Sequence, residues 1–323
     1  DLWGNLRWAR DHSTAEFLAS VENCRAVKIG LVAQVAQSYF ELMALDNELA
    51  IVRRTLEARR EGVRLAEIRF KGGLTSEIVF QQAKVELAKT ATMVPDLERR
   101  ISLKESEIAL LTGDFPYAVN RNVLPEEIQL PDALPLGLPS TLLERRPDIR
   151  KAERELMAAH AEVGLAYTNM FPRLALTATL GAESETLRDL LKSPYSYLAG
   201  NLLSPLFAMG KNRAALKAKR TAYESAVAEY EKTVLTAFKE THDAIINFNK
   251  IKDIYESRRQ LAEASRTAVE LAQLQYINGV IGYLDLLDAQ RNYFDAQVSL
   301  SNAVCDKQLM IINLYKALGG GWK

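Results

Sequence analysis

Two carboxylates near the end of the chain are the residues best suited to binding ions. Asp285 and Asp288 lie three residues apart in the segment 271–291, which reads as a helix, a tight turn near Gly279 and a second helix. Residues three apart share one face of a helix, and Leu284 lies beside them on a face suited to packing. An acid on an apolar face is costly unless it meets water or a partner. The pair indicates either a pore mouth or two solvent-facing acids at a helix N-terminus, where the helix dipole favours negative charge.

Composition excludes several classes of function. The 323 residues have a formal net charge of zero, which argues against a nucleic-acid partner because such partners require a basic face. No run of 18 apolar residues marks a transmembrane helix. The two cysteines, Cys24 and Cys305, fit no metal spacing, and the three histidines are isolated. Without a phosphate loop or a nucleophile–base pair, we expect no enzymatic activity, no metal and no cofactor.

Proline placement predicts long helices in both flanks of the chain. All ten prolines lie between Pro95 and Pro205, and proline breaks helix interiors. The segments 7–71 and 213–277 would each span about 97 Å as continuous helices, at roughly 1.5 Å per residue. Such lengths favour a coiled-coil-like tube or rod. Pro95 is expected to interrupt and kink the first return helix, 74–112.

An internal repeat indicates that this helical hairpin is duplicated. Shifted by 206 residues, the sequence aligns to itself without a gap, and glycines at three element boundaries coincide. Chance agreement of low-complexity helices does not explain this match, so we expect two copies of long helix, glycine turn and return helix. The second return helix, 280–318, carries a heptad-like stripe. The matched glycines are Gly4 with Gly210, Gly73 with Gly279, and Gly113 with Gly319.

The middle of the chain predicts a strap, a helix and two strands. Five prolines and recurring apolar residues mark 114–139 as a strap, and the following helix is expected to start at Ser140 and end before Pro172. Residues 173–181 and 195–204 then read as strands of bilayer-crossing length. They form either membrane strands, with Tyr195 and Tyr197 in an interfacial girdle, or a hairpin on a soluble domain; the residues leave both readings open.

The segment 142–181 carries the most specific motif of the chain. It resembles the outer-membrane efflux protein family, the TolC-like and OprM-like exit ducts, and most closely the lipoprotein branch of that family. The resemblance covers essentially the whole chain. The core of the motif is Arg145-Arg146-Pro147-Asp148, with Ala152-Glu153 after it and Phe171-Pro172 before the first strand.

The resemblance implies a mainly α fold: a duplicated long-helix α-barrel with a small transmembrane β-barrel portion, trimeric and set in the Gram-negative outer membrane. The protein would be the passive exit duct of a tripartite efflux system such as those of multidrug resistance, with a periplasmic adaptor, an inner-membrane pump and outer-membrane lipids as partners. The alternative is a non-transport periplasmic coiled-coil scaffold, which has no use for bilayer-length strands.

The resemblance also assigns residues. Leu284, Asp285, Asp288 and Tyr276 match the periplasmic gate, and the turns at Gly72, Gly73 and Gly279 are the expected adaptor-docking tips. Two positions depart from the TolC-like pattern, because Ile281 replaces a latch arginine and Val79 its acidic partner. We therefore expect closure by Leu284 packing and by Asp288.

The repeat and the family resemblance together divide the chain into six expected segments. The repeat places the chain start near the end of a second strand, so any lipid-carrying cysteine would precede Asp1. The expected segments are a strand end at 1–6, a first helical hairpin at 7–113, the strap at 114–139, a helix at 140–171, two transmembrane strands at 172–206 and a second helical hairpin at 207–323.

Overall fold

The computed structural model describes residues 1–121, 144–183, 185, 194–205 and 207–320. Five helices and two strands make up this part of the chain, so the predicted predominance of helix is confirmed. None of the described helices combines the length and the hydropathy needed to cross a membrane. The elements are α1 (Asn5–Lys71), α2 (Glu77–Thr112), α3 (Pro147–Thr168), β1 (Arg173–Ala182), β2 (Pro194–Leu203), α4 (Met209–Ile277) and α5 (Tyr283–Ala317).

Helix α2 runs through Pro95 without a break, so the predicted interruption is wrong. Proline removes one backbone hydrogen bond and crowds the preceding turn. The residues that follow offset this cost, because Leu97 and Ile101 are buried at 2% and 8% exposure against α1 residues such as Leu42 and Val52. Tertiary burial of an apolar face stabilises a helix more than local propensity does.

The described residues divide into two compact units. One comprises the described residues of 1–26 and 139–238, and the other comprises the described residues of 27–138 and 239–323. The second unit holds the main apolar cluster between α1 and α2 and a smaller one between α4 and α5. The start of the predicted strap packs on this unit: Val119 is buried, and Arg121 pairs with Asp46 and Glu105 at 2.8 and 2.6 Å. The rest of the strap, 122–139, lies outside the described residues.

The first unit differs from prediction at the start of the chain. Residues 1–6 are not a strand end: residues 2 and 3 form a turn and α1 begins at Asn5. The Asp1 carboxylate accepts hydrogen bonds from the backbone N–H groups of Leu6 and Arg7, which satisfies donors that a helix start leaves free. Helix α3 begins at Pro147 with Arg146 as N-cap, and residues 144 and 145 before it are also helical. The predicted helix start, Ser140, lies outside the described residues. Proline suits the first helical position because its missing N–H is not needed there.

The two strands pair as an antiparallel hairpin, close to the predicted ranges. Because side chains alternate along a strand and cross-strand partners share a face, the register gives the hairpin two unlike faces. The apolar face carries Leu174, Leu176, Leu180, Leu198 and Leu202.

The opposite face carries mainly polar residues and both tyrosines: Arg173, Thr177, Thr179, Asn201, Tyr195 and Tyr197. The register thus places both tyrosines on the face opposite the leucines, and the interfacial girdle stays a prediction. The sequence pattern of β2 alone did not show this, since the face of a strand depends on its register with a partner.

Candidate functional site

The glycine turns of the two helical hairpins have one backbone conformation. Gly73 and Gly279 have φ of 72° and 73°, the left-handed region that favours glycine. The N–H of Gly73 donates to Phe70 O at 2.9 Å, and the N–H of Gly279 donates to Tyr276 O at 3.1 Å. A Cβ on either glycine would meet no atom within 4 Å. Both turns therefore need glycine for the backbone and not for close packing, while Gly72 needs no positive φ.

Asp285 closes the start of α5. Its Oδ2 accepts a hydrogen bond from the backbone N–H of Gly282, the N-cap residue, at 3.0 Å. This is the reciprocal half of a capping box, in which an acid at the third helical position satisfies the N-cap N–H. Of the two readings of the acid pair, the helix-terminus reading accounts for Asp285.

Leu284 and Asp288 lie on the free side of the same helix. Leu284 is 62% exposed and Asp288 is exposed, whereas Leu286 and Leu287 between them are buried at 6% and 3%. Oδ2 of Asp288 accepts a hydrogen bond from Nδ2 of Asn292 at 3.2 Å. The heptad-like stripe is therefore only partly the packing face, because Leu284 belongs to it and yet points away from the core of this chain.

Tyr276 is buried, and it packs with Ile281, Tyr283 and Leu286 at the turn. Arg69 of the first hairpin lies over its ring, with the guanidinium carbon 4.7 Å from the ring centroid, and Nη1 of Arg69 donates to Tyr276 O at 3.4 Å. This cation–π contact joins the two turns.

The Tyr276 hydroxyl is buried and has no hydrogen-bond partner among the described residues. Ile281, which replaces the latch arginine, packs in the apolar cluster at this turn.

A buried ionic cluster behind the turns is the site feature that sequence reasoning missed. Glu86 of α2 is 4% exposed and accepts hydrogen bonds from Arg59 of α1, with Nη1 to Oε2 at 2.8 Å, and from Arg291 of α5. Arg59 Nη1 also donates to Glu86 O at 2.8 Å and contacts Oγ1 of Thr90. One carboxylate thus ties α1, α2 and α5 together; we call this set, Glu86 with Arg59, Arg291 and Thr90, the Glu86 clamp.

The pKa values of two clamp members and of the neighbouring Tyr283 are shifted. The hydrogen bond from Arg291 holds the pKa of Glu86 below its usual value, against the opposing effect of burial. Burial lowers the pKa of Arg59, and the nearby Glu86 carboxylate reverses part of this decrease in pKa. Burial, with neighbouring Tyr276 and Glu86, raises the pKa of Tyr283. Glu86 is therefore an ionised acid at neutral pH, stabilised by its arginines.

A signal for Glu86 was present in the sequence. Except for Ala109, the buried residues of α2 follow steps of three, four and seven, and Glu86 falls on that stripe. An acid on an apolar stripe needs a partner, which is the argument applied above to Asp285 and Asp288 but not to Glu86. The buried residues on the stripe are Ala83, Glu86, Thr90, Leu97, Ile101 and Ile108.

The family motif belongs to the first unit. Arg146 is buried and pairs with Asp148 through Nη2 to Oδ2 at 2.6 Å, and Arg145 is exposed. Burial would raise the pKa of Asp148, but the Arg146 guanidinium and backbone N–H donors outweigh it and hold the pKa below its usual value. With Pro147 at the first helical position, the motif starts α3 and needs no ligand to explain it.

Within the described ranges, no group of three His, Cys, Asp or Glu residues lies close enough together to hold a metal ion. Asp285 and Asp288 are accordingly not part of a metal site formed by the described residues of one chain.

Comparison with known proteins gives one consistent result. The model of the outer membrane efflux protein family matches residues 1–114 and 138–320. The chain is 35% identical over 332 residues to the outer membrane protein OprJ of Pseudomonas aeruginosa, covering 100% of this chain and 68% of that protein. It is 29% identical to the cation efflux system protein CusC of Escherichia coli, covering 100% of this chain and 71% of CusC.

Solved structures agree. The open state of the Neisseria gonorrhoeae MtrE outer membrane channel superposes with a TM-score of 0.86 at 28% identity, covering 98% of this chain and 72% of that one. A scaffold without a transport role is not favoured by relatives of this kind. The repeat, the bilayer-length strands and the matched relatives together show that this chain belongs to the outer membrane efflux protein family, as an efflux channel component of the Gram-negative outer membrane.

Proposed function

We propose that three copies of this chain form the exit duct of a tripartite efflux system and that Leu284 and Asp288 close it at the hairpin turns. The observation that carries the proposal is the division of α5 into a buried side and a free side. Leu286 and Leu287 hold the helix in its own chain, which leaves Leu284 62% exposed and Asp288 exposed for contacts between copies.

Three-fold symmetry gives these two residues a physical role. Leu284 and Asp288 are four residues apart, so they project from one side of α5 about one turn apart. In a trimer they form two stacked rings: one apolar, which excludes water, and one acidic, which concentrates cations in a narrow opening. Asp285 is occupied as the cap of α5 and supports the position of this helix start.

The remaining roles follow from the same arrangement. The turns at Gly72-Gly73 and Gly279 are the surfaces on which a periplasmic adaptor docks, and an inner-membrane pump supplies the substrate. The leucine face of the β-hairpin contacts outer-membrane lipid. The duct is a passive conduit that needs no catalytic chemistry and no cofactor of its own, and a lipid anchor would add to its membrane attachment.

The gate is tested by single-channel conductance of the intact protein in planar bilayers. The double change Leu284→Ala with Asp288→Ala should raise conductance, because it widens the apolar ring and removes the acidic one. Asp288→Asn alone should chiefly reduce block by divalent cations, since it keeps size and discards charge.

The repeat offers a matched control for this measurement. Ile78 and Gln82 are the counterparts of Leu284 and Asp288 in the first hairpin, and Ile78 is 64% exposed. Ile78→Ala with Gln82→Ala should leave conductance close to that of the unmodified channel. A double mutant at Leu284 and Asp288 that conducts no better than this control would place the constriction elsewhere.

Subunit number and docking need separate tests. Native mass spectrometry of the intact protein in detergent should give three chains, and a monomer that is stable in every detergent would reject the trimer. Gly279→Trp should reduce efflux without reducing the amount of protein in the outer membrane. Gly279→Ala separates the two causes, because it strains the turn without adding bulk; equal losses in both variants would argue against docking.

A further inference from the structure

The tyrosine face of the β-hairpin has no role in the function proposed above. Tyr195 and Tyr197 lie two residues apart on β2, opposite Gly181 and Thr179 of β1, and they are 47% and 59% exposed. This face is opposite to the leucine face. If the leucine face contacts lipid, as the proposed function requires, the tyrosine face lines the water-filled interior, because lipid-facing and interior-facing residues alternate along membrane strands.

The structure holds Tyr195 flat against its neighbour strand. A Cβ placed on Gly181 would lie 2.8 Å from Cε1, Cζ and the hydroxyl oxygen of the Tyr195 ring, so only glycine leaves room for the ring there. Aromatic cover of a cross-strand glycine is a recognised way of ordering a strand pair. One face of the ring is therefore packed on the backbone of Gly181 and the other is left for a ligand.

Charge near the same end of the hairpin favours a cation. The pair Gly181–Tyr195 is the last but one at the end of the hairpin where β1 stops and β2 starts. Two acids, Glu183 and Glu185, follow β1 at this end. Both acids are exposed. Arg173, the basic residue of this face, lies at the other end of β1, at the first pair of the register. A tyrosine ring attracts cations through its negative face.

We propose that Tyr195 and Tyr197, repeated in each copy of the chain, form an aromatic surface inside the β-barrel that binds organic cations as they leave the duct. The inference rests on the proposed function, since it requires the polar face to line the interior. Weakly hydrated organic cations fit this surface because their charge is exposed to the ring, whereas small inorganic cations keep their water shell.

Block of single-channel current by methyl viologen, an aromatic dication that does not cross bilayers readily, tests this surface. Applied to the loop side of the intact reconstituted channel, it should block the current, and Tyr195→Leu with Tyr197→Leu should raise the half-blocking concentration about five- to tenfold. Tyr195→Phe with Tyr197→Phe keeps the ring faces and should retain the block. Block by Mg²⁺ measures general electrostatics and should be the same in all three proteins.

The outcomes separate this inference from the proposed function. A channel that conducts and is not blocked by methyl viologen, or is blocked equally after both leucine substitutions, overturns the aromatic surface and leaves the duct intact. Loss of block in the phenylalanine variant would assign binding to the hydroxyls and would also overturn it. A protein that forms no trimer and no channel instead rejects the proposed function.

Discussion

The two hairpin turns share a backbone and differ in chemistry. Gly73 and Gly279 have φ values within a degree of each other, and the N-cap residues that follow, Ser76 and Gly282, have φ of −76° in both turns. Yet Asp285 bonds the Gly282 N–H, whereas Val79 occupies the matching place after Ser76, which has no side-chain cap. The two copies thus share the glycines that the turn backbone requires. They differ at Val79 and Asp285, where the helix backbone tolerates either side chain.

The contacts that join the two hairpins are also not duplicated. Arg69 over Tyr276 and the Glu86 clamp connect the first hairpin with the second. Glu86 is matched by Asn292 in the repeat, and Arg59 is matched by Ser265. The clamp is therefore a one-sided addition, because its residues in the first hairpin have no charged counterparts in the second.

Removing the clamp should give the largest effect on the pair of turns. Glu86→Ala leaves the Arg59 guanidinium, whose side chain is 11% exposed, buried without its partner, which costs about 3 kcal/mol. The half-exposed Arg291 adds little. Amide hydrogen exchange at both turns, measured by mass spectrometry on the intact protein, should accelerate by up to about a hundredfold.

Glu98→Ala is the matched control for this substitution. Glu98 also pairs across α1 and α2, with Arg53 at 2.8 Å, but both side chains are more than half exposed. Surface pairs of this kind contribute roughly 0–1 kcal/mol. Equal acceleration in the Glu86 and Glu98 variants would mean that the clamp does not hold the turns together.

Acid should loosen the turns through the same carboxylate, with a smaller effect than its removal. The folded pKa of Glu86 lies below the unfolded value of about 4.3, so its contribution is fully present above that value and is lost as pH falls through the folded pKa. The arginines stay charged throughout this range.

Exchange protection at the turns, corrected for intrinsic rates, should therefore be constant between about pH 8 and 5 and decline only below about pH 4. Glu86→Gln should have weaker protection at neutral pH and a smaller decline in acid. A decline that begins near neutral pH would contradict the depressed pKa of Glu86.

Alanine at either turn glycine should lower stability by the same amount, because the two turns have the same backbone conformation. Gly73→Ala and Gly279→Ala each place a Cβ at positive φ in open space, so each should cost about 1–2 kcal/mol. Gly62→Ala, in the interior of α1, should instead stabilise by roughly 0.5–1 kcal/mol. Thermal unfolding midpoints check this order. Clearly unequal losses of stability at the two turns would show that the turns share their dihedral angles but not their energetic need for glycine.

The smallest effect should come from exchanging the caps. Asp285→Ala removes one hydrogen bond to an exposed N–H. The free energy of local unfolding at the start of α5 should therefore fall by about 1 kcal/mol or less. Val79→Asp supplies the acceptor that the first hairpin lacks and should slow exchange at the start of α2. Asp285→Asn keeps an acceptor and is the control; fraying as large as in Asp285→Ala would show that the charge, and not the hydrogen bond, is what counts.

Much of the fold could be read from the sequence, because its signals are local. Proline absence and the 206-residue repeat predicted helices 7–71 and 213–277, and the helices run Asn5–Lys71 and Met209–Ile277. Alternation predicted strands 173–181 and 195–204, and the strands are Arg173–Ala182 and Pro194–Leu203. Helix ends at Asn5 and Pro147 were less predictable, because they depend on which side chain or proline satisfies the first N–H groups. The roles of Leu284, Asp288 and the glycine turns in gating and docking stay predictions.

By itself, the sequence determined the family, the duplicated hairpins, the glycine turns and the two bilayer-length strands, since periodicity, motif and glycine spacing act over short stretches of chain. The tertiary structure decided which acid is a cap, which is free and which is clamped: Asp285, Asp288 and Glu86 have the same charge and all lie on helices. It also decided that Tyr195 and Tyr197 lie opposite the leucines. These outcomes depend on residues far apart in the sequence, because burial and register are set by the partner element and not by the residue's own neighbours.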